Sequence, residues 1–198
     1  MSQLQGEVIS SGVPSSNMGN YEEAYKNFKW EDVEKKFSWY VTGKVNMAYE
    51  AIDRHVDAGK GSRTALLFSD PTREESYTYE DMQGLTNRFA NVLRKYGITK
   101  GDRVFVFMPR TPELYVSVLG TLKVGAVVGP LFEAFMETAV KDRLEDSGAV
   151  ALVTTPALLP RVKREELPTL RTIIVVGDDV KAGDGIVDYK AEMEAASP

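Results

Sequence analysis

The sequence predicts an α/β protein: a doubly wound, mostly parallel sheet over about residues 101–177, preceded by an N-terminal helical and aromatic wrap and a short hairpin. Two observations predict it. The apolar runs 103–108, 126–131, 149–154 and 172–176 show almost no polar alternation, as strands covered on both faces do. Segments with helical signals stand between them, so strand and helix alternate over about 75 residues, the spacing of right-handed crossovers in a parallel sheet.

Residues 1–20 are rich in Ser, Gly and Asn and read as a flexible leader. Residues 21–100 form the next division, an aromatic segment followed by helices and short strands. In it Tyr21, Tyr25, Phe28, Trp30, Phe37, Trp39 and Tyr40 alternate with Glu and Lys, a composition that can lie on another surface through ring area while its charges stay wet. Asn46 is placed to cap a helix running through Tyr49 and Ile52 to about Val56. Residues 65–68 read as a strand, Pro71 as a turn, and 76–78 as the return strand of a hairpin. Thr78 with Asp81 starts a helix as a capping box, Met82, Leu85, Phe89, Val92, Leu93 and Tyr96 recur on one face, and Gly97 stops it.

The Rossmann-like division covers residues 101–180. After the strand at 103–108, Thr111-Pro112-Glu113 opens a helix with an N-cap, a proline at the first helical position and an acid in the first turn. Gly125 ends that helix, and Gly148 ends the one over 137–146. Residues 158–167 read as a short helix, and the tail 181–198, rich in Gly, Asp and Ala, as a linker toward further chain. Ligands of such sheets sit beyond the carboxyl ends of the strands, here Met108-Pro109-Arg110, Leu131-Phe132-Glu133, Thr154-Thr155 and Gly177-Asp178.

Composition narrows the function. The chain has 198 residues, 43% hydrophobic and 27% charged, with a net charge of −5, so it does not attract polyanions as a whole. The balancing acids among the aromatic segment's lysines argue further against nucleic acid. Cysteine is absent, which removes disulfides, thiolate metal sites and a Cys nucleophile and favours a cytoplasmic setting. The start lacks the basic and apolar regions of a secretory signal, and the greasiest stretch, 114–135, is interrupted by Lys123, Pro130 and Glu133, so no membrane span is expected.

No catalytic centre is visible. Gly59-Lys60-Gly61-Ser62 resembles part of a phosphate loop but lacks the earlier glycine, and reads as a solvated turn. The single histidine, His55, has no metal-binding companion. Asp178-Asp179 reads as an acidic turn that ends a strand, with a cation site as the alternative. One cluster stands out. Arg161, Lys163 and Arg164 are three cations within four residues that can hold a phosphate; the alternative is a wet helix face offset by Glu165 and Glu166.

A resemblance adds to this. Asn20-Tyr21-Glu22-Glu23-Ala24-Tyr25, Phe37-Ser38-Trp39, the run from Asn46 to His55, Gly101-Asp102-Arg103-Val104, the run from Met108 to Leu114 and the run from Gly125 to Phe135, in that order, resemble the start of AMP-forming acetyl-CoA synthetases, acetate–CoA ligases of the adenylate-forming superfamily. The resemblance covers about residue 20 to the end. It implies part of the large N-terminal domain of such an enzyme, in which a carboxylate attacks ATP to give an acyl-adenylate and coenzyme A then displaces AMP. ATP, Mg²⁺, acetate and coenzyme A are the ligands so implied, with the remainder of the same polypeptide as partner. The Gly/Ser/Thr-rich loop with its lysine, and the C-terminal lysine, are not found in this sequence, so no catalytic residue is assigned here and the chain alone is expected to be inactive. The coenzyme's phosphorylated adenosine is bound in the family partly by basic residues just after the strand reading Leu152-Val153-Thr154-Thr155; the matching stretch is Pro160-Arg161-Val162-Lys163. Longer members carry arginines that fall near Pro160 and Lys163. Phe132 and Glu133 sit where the family lines the pantetheine channel. The competing expectations are a stand-alone coenzyme-binding or scaffold module, and a fragment of another short-chain acyl-CoA ligase, such as one for propionate.

Overall fold

A computed structural model describes residues 19–198, and the chain divides into two compact units at Gly43. The leader expected over residues 1–20 therefore lies, through residue 18, outside the described residues.

The first unit carries the aromatic segment as three short helices, α1 (Tyr21–Asn27), α2 (Trp30–Glu34) and α3 (Trp39–Thr42). Asn20 caps α1, its side chain accepting from the Glu23 N–H at 3.3 Å. The rings pair locally: Tyr21 stacks on Tyr25, Phe28 meets Trp30 edge-on, and Phe37 lies parallel to Trp39 at 4.1 Å.

The second unit opens with the helix that Asn46 was expected to cap. Its side-chain oxygen accepts from the Ala48 and Tyr49 N–H groups. The helix then widens into π-wound turns, Tyr49–Asp53 and Val56–Lys60, and runs past the expected stop at Val56. Asp53 is tied there to Lys123, whose ammonium lies 2.8 Å from its carboxylate and 2.6 Å from the Asn87 amide oxygen. The hairpin is β1 (Thr64–Ser69) and β2 (Glu74–Thr78), antiparallel, turned at Asp70, whose carboxylate accepts from the Thr72 and Arg73 N–H groups. Helix α4 (Tyr79–Lys95) begins with the capping box: Thr78 Oγ1 accepts from the Asp81 N–H and the Asp81 carboxylate from the Thr78 N–H.

The main sheet follows: β3 (Arg103–Phe107), α5 (Pro112–Val124), β4 (Val127–Leu131), α6 (Glu137–Ser147), β5 (Ala151–Thr154) and β6 (Thr172–Val175). Every pairing is parallel, and the strand order is β4-β3-β5-β6-β7, with β7 at Ile186–Asp188. The two-residue period of a strand separates two cores. Val104, Val106, Ala151, Val153 and Ile174 face α4 and α5; Phe107, Leu152, Ile173 and Val175 face α6. This is the doubly wound sheet the uninterrupted apolar runs predict. Helices α4 and α5 cross closely because Gly120 has no side chain: a Cβ there would meet the Phe89 ring at 2.8 Å and the Thr86 carbonyl at 3.0 Å.

Two expectations are corrected. The tail 181–198 is not a linker. It supplies β7 and α7 (Tyr189–Ala195), which bury Val187, Tyr189 and Met193 on the α4 side. Asp188 caps α7 by accepting from the Ala191 N–H, Arg88 donates to the Met193 and Ala196 carbonyls, and Lys95 pairs with Glu192 at 2.7 Å. Nor do residues 158–167 form one helix. They make two 3₁₀ turns, Leu159–Arg161 and Arg164–Glu166, broken by extended backbone at Val162. The backbone turns extended at Val162 before an α-helical ladder can form, and the segment is fastened by buried Leu158, Leu167 and Leu170.

Among the described residues, no helix is long and apolar enough to cross a membrane.

Candidate functional site

The chain leaves β3 for β4 on one side and returns past it to β5 on the other. A crevice forms at the carboxyl ends where such a reversal occurs. The structure divides the four predicted strand ends between two places.

Met108, Thr155, Gly177 and Asp178 line a cavity of ≈ 790 Å³ on the side of α4, α5 and α7. Its wall is mixed. Arg73 lies between Glu75 at 3.1 Å and Glu113 at 3.8 Å, and the Tyr77 hydroxyl donates to Glu75 at 2.6 Å. The Thr111 hydroxyl, expected to cap α5, makes no cap hydrogen bond; it and the Thr155 hydroxyl are buried without a hydrogen-bond partner among the described residues. Burial, with the Glu75 hydrogen bond second, pushes the Tyr77 phenol up to about 12. Burial, with the Glu113 carboxylate second, raises Tyr189 as well. Both phenols thus keep their protons in the folded state above pH 10, where tyrosines of the unfolded chain, with an ordinary value of about 10, lose theirs. Raised groups stabilise fully below the unfolded value and lose that contribution as pH rises through the folded one. Thermal melts are therefore expected to hold to about pH 10 and fall toward pH 12, and Tyr77→Phe with Tyr189→Phe to flatten that alkaline slope. An unchanged slope in the double variant would contradict the assignment.

Leu131, Phe132 and Glu133 lie elsewhere, at the end of the edge strand β4. Here the structure joins two segments that are far apart in sequence. Arg161, in the first 3₁₀ turn after β5, donates from Nη1 to the Glu133 carbonyl at 2.8 Å and the Phe135 carbonyl at 3.2 Å. Lys163 pairs with Glu137, in the first turn of α6, at 2.8 Å, with 43% of its side chain still exposed. That hydrogen bond raises its pKa, so it stays charged. Phe132 is 60% exposed and meets Phe135 edge-on at 5.8 Å. Arg164 does not join them: its guanidinium lies against Gly185, just before β7 begins, at the opposite end of the sheet. Of the five residues predicted from sequence, Phe132 and Glu133 lie in the loop that Arg161 holds, Lys163 pairs with Glu137 where that loop enters α6, and Arg164 stands apart. Glu166, expected to offset the cluster, pairs with Lys141.

Sequence reasoning missed Arg143, whose guanidinium lies 4.2 Å over the Phe135 ring. It also missed Thr111, Tyr189 and Lys190 of the cavity. Only the helical spacing of Tyr189 and Met193 signalled that the tail folds.

The family described as AMP-binding enzyme matches residues 52–196. The chain belongs to that family. Within it, the chain is 54% identical over 174 residues to an acetyl-coenzyme A synthetase of Bacillus subtilis, covering 87% of this chain and 30% of that protein. It is 38% identical over 130 residues to a 3-hydroxypropionyl-coenzyme A synthetase of Metallosphaera sedula, covering 65% of this chain and 20% of the relative. Among solved structures, a Brucella canis acyl-CoA synthetase superposes with a TM-score of 0.76 at 30% identity, over 89% of this chain and 32% of that one. The chain thus spans about a third or less of the length of these relatives.

Proposed function

We propose that this chain is the amino-terminal part of an AMP-forming acetate–CoA ligase and that its share of the work is to bind the nucleotide end of coenzyme A. The observation that carries this reading is that Arg161 bonds the exposed Phe132 loop at the carboxyl end of the sheet and Lys163 pairs with Glu137 where that loop enters α6. An exposed ring gives an adenine or pantetheine chain apolar area, and a half-exposed ammonium gives a phosphate its counter-charge. The relatives support the same division of labour. Synthetases named for acetyl and for 3-hydroxypropionyl groups are both similar to this chain, which supports a role in a step common to such ligases rather than in the choice of acyl group.

In the whole enzyme so proposed, a carboxylate oxygen attacks the α-phosphorus of ATP and expels diphosphate, and the coenzyme's sulfur then attacks the acyl carbon and expels AMP. No residue of this chain is assigned to either step, nor to ATP or Mg²⁺, and the chain alone is expected not to turn over acetate. The reading places the enzyme in the cytoplasm, with the rest of the polypeptide as its partner.

Calorimetric titration with coenzyme A, dephospho-coenzyme A and ATP tests it. Coenzyme A is expected to bind about tenfold more tightly than the dephospho form, and Lys163→Ala to remove the difference. Equal binding of the two, or no binding to a folded chain, would overturn the reading.

A further inference from the structure

We propose that Arg161 is a positioning residue: it holds the loop from Phe132 to Met136 in the shape that presents the Phe132 ring, and leaves the phosphate to Lys163. The inference rests on the coenzyme reading above and divides the roles within that site.

Sequence treats Arg161 and Lys163 as equal cations. Their surroundings differ. Both bonds from Arg161 Nη1 end on main-chain carbonyls of one short loop, those of Glu133 and Phe135, which flank Ala134. The loop turns on itself there, with the Phe135 N–H donating to the Phe132 carbonyl at 2.9 Å. A guanidinium beneath two carbonyls fixes their direction, and with it the side chains between and beside them. Arg161 is itself steadied by the turn that holds it: it follows Pro160, and its N–H donates to the Leu158 carbonyl of a buried residue.

The loop's aromatic residue is fixed from a second direction. Arg143 covers Phe135 at 4.2 Å while donating to the Ala139 carbonyl at 2.8 Å, so Phe135 is a fixed post against which the exposed Phe132 ring rests. A phosphate that recruited Nη1 of Arg161 would draw it from both carbonyls and free the loop. Lys163 carries no such duty. Its ion-pair partner, Glu137, is 48% exposed, and a solvent-screened pair of this kind is readily exchanged for a phosphate.

Arg161→Ala, Arg161→Lys and Lys163→Ala separate the roles through two measurements: titration with coenzyme A and with dephospho-coenzyme A, and hydrogen exchange of the amides from Phe132 to Met136. Arg161→Ala is expected to weaken both ligands by the same factor, about tenfold, keeping their ratio, and to speed loop exchange about tenfold. Arg161→Lys, which retains donors for the carbonyls, restores most of both. Lys163→Ala brings coenzyme A down to the dephospho form and leaves loop exchange unchanged. Loss of the ratio in Arg161→Ala with slow exchange preserved would make Arg161 a phosphate ligand and overturn the proposal. Unchanged exchange in that variant overturns it as well. A folded parent chain that binds neither ligand overturns the coenzyme reading, and the exchange measurement still decides whether Arg161 holds the loop.

Discussion

Phe89→Ala is expected to destabilise the unit from Lys44 to Pro198 by about 3–5 kcal/mol. Phe89 is fully buried on α4 and touches two other helices: its ring faces Gly120 of α5 in the close crossing and lies 5.8 Å from the Tyr189 ring of α7. Alanine would leave a void under all three. The missing Cβ of Gly120 cannot fill it, and the sheet beneath, where Val104 and Val106 are fully buried, offers no mobile side chain to collapse inward. At 2–4 °C per kcal/mol for a unit of this size, thermal melting should fall by roughly 6–20 °C. A urea or thermal melt that moves by less than about 1 kcal/mol would mean that the α4–α5 crossing relaxes to close the void, and that this packing is softer than its geometry implies.

The second large effect is expected from ending the chain at Asp184. A tail that merely linked this unit to further chain could be removed at no cost. Here removal strips β7 from β6, exposes Ile173, Ile174 and Val175 along a bare edge, and takes Tyr189 and Met193 off α4. Each buried apolar side chain lost contributes about 1.5–3 kcal/mol of burial, partly offset by the freed chain entropy. The Arg88 and Lys95 contacts to α7 go too. A net loss on the order of 3–5 kcal/mol is expected, with increased binding of a dye for exposed apolar surface. A truncated chain that melts with the parent would restore the linker reading.

The sheet was legible because covered strands need no polar side: 103–108 and 149–154 have no competing interpretation once their length is considered. The capping box at Thr78 and Asp81 was legible because both partners are three residues apart. The tail was not, since β7 has only Ile186, Val187 and Asp188, and the flanking Gly183 and Gly185 dilute any pattern. Its strand exists because β6 offers an open edge, a tertiary cause that no local window contains. The 3₁₀ turns at 159–166 were misread because apolar spacing suggested one helix, whereas the backbone is extended at Val162 and splits the segment into two single turns. At the candidate site, sequence could gather Arg161, Lys163 and Arg164 by proximity but could not say where each points. Arg161 reaches back 28 residues to Glu133, whereas Arg164 turns to the far end of the sheet. The loop and the clamp become one site only through the crossover that brings β4 and β5 to either side of β3.

The strand order has a consequence for how the protein is made. β4 pairs with one edge of β3, β5 takes the other, β6 joins β5, and β7 joins β6. No strand is ever wedged between two that are already paired. As the chain leaves the ribosome, each new strand finds an open edge made by one already synthesised, so the sheet can grow by accretion, one strip at a time, without unpicking earlier work. A slow parallel topology is thereby reduced to a series of single-strand additions, each new strand pairing with an edge that is already in place.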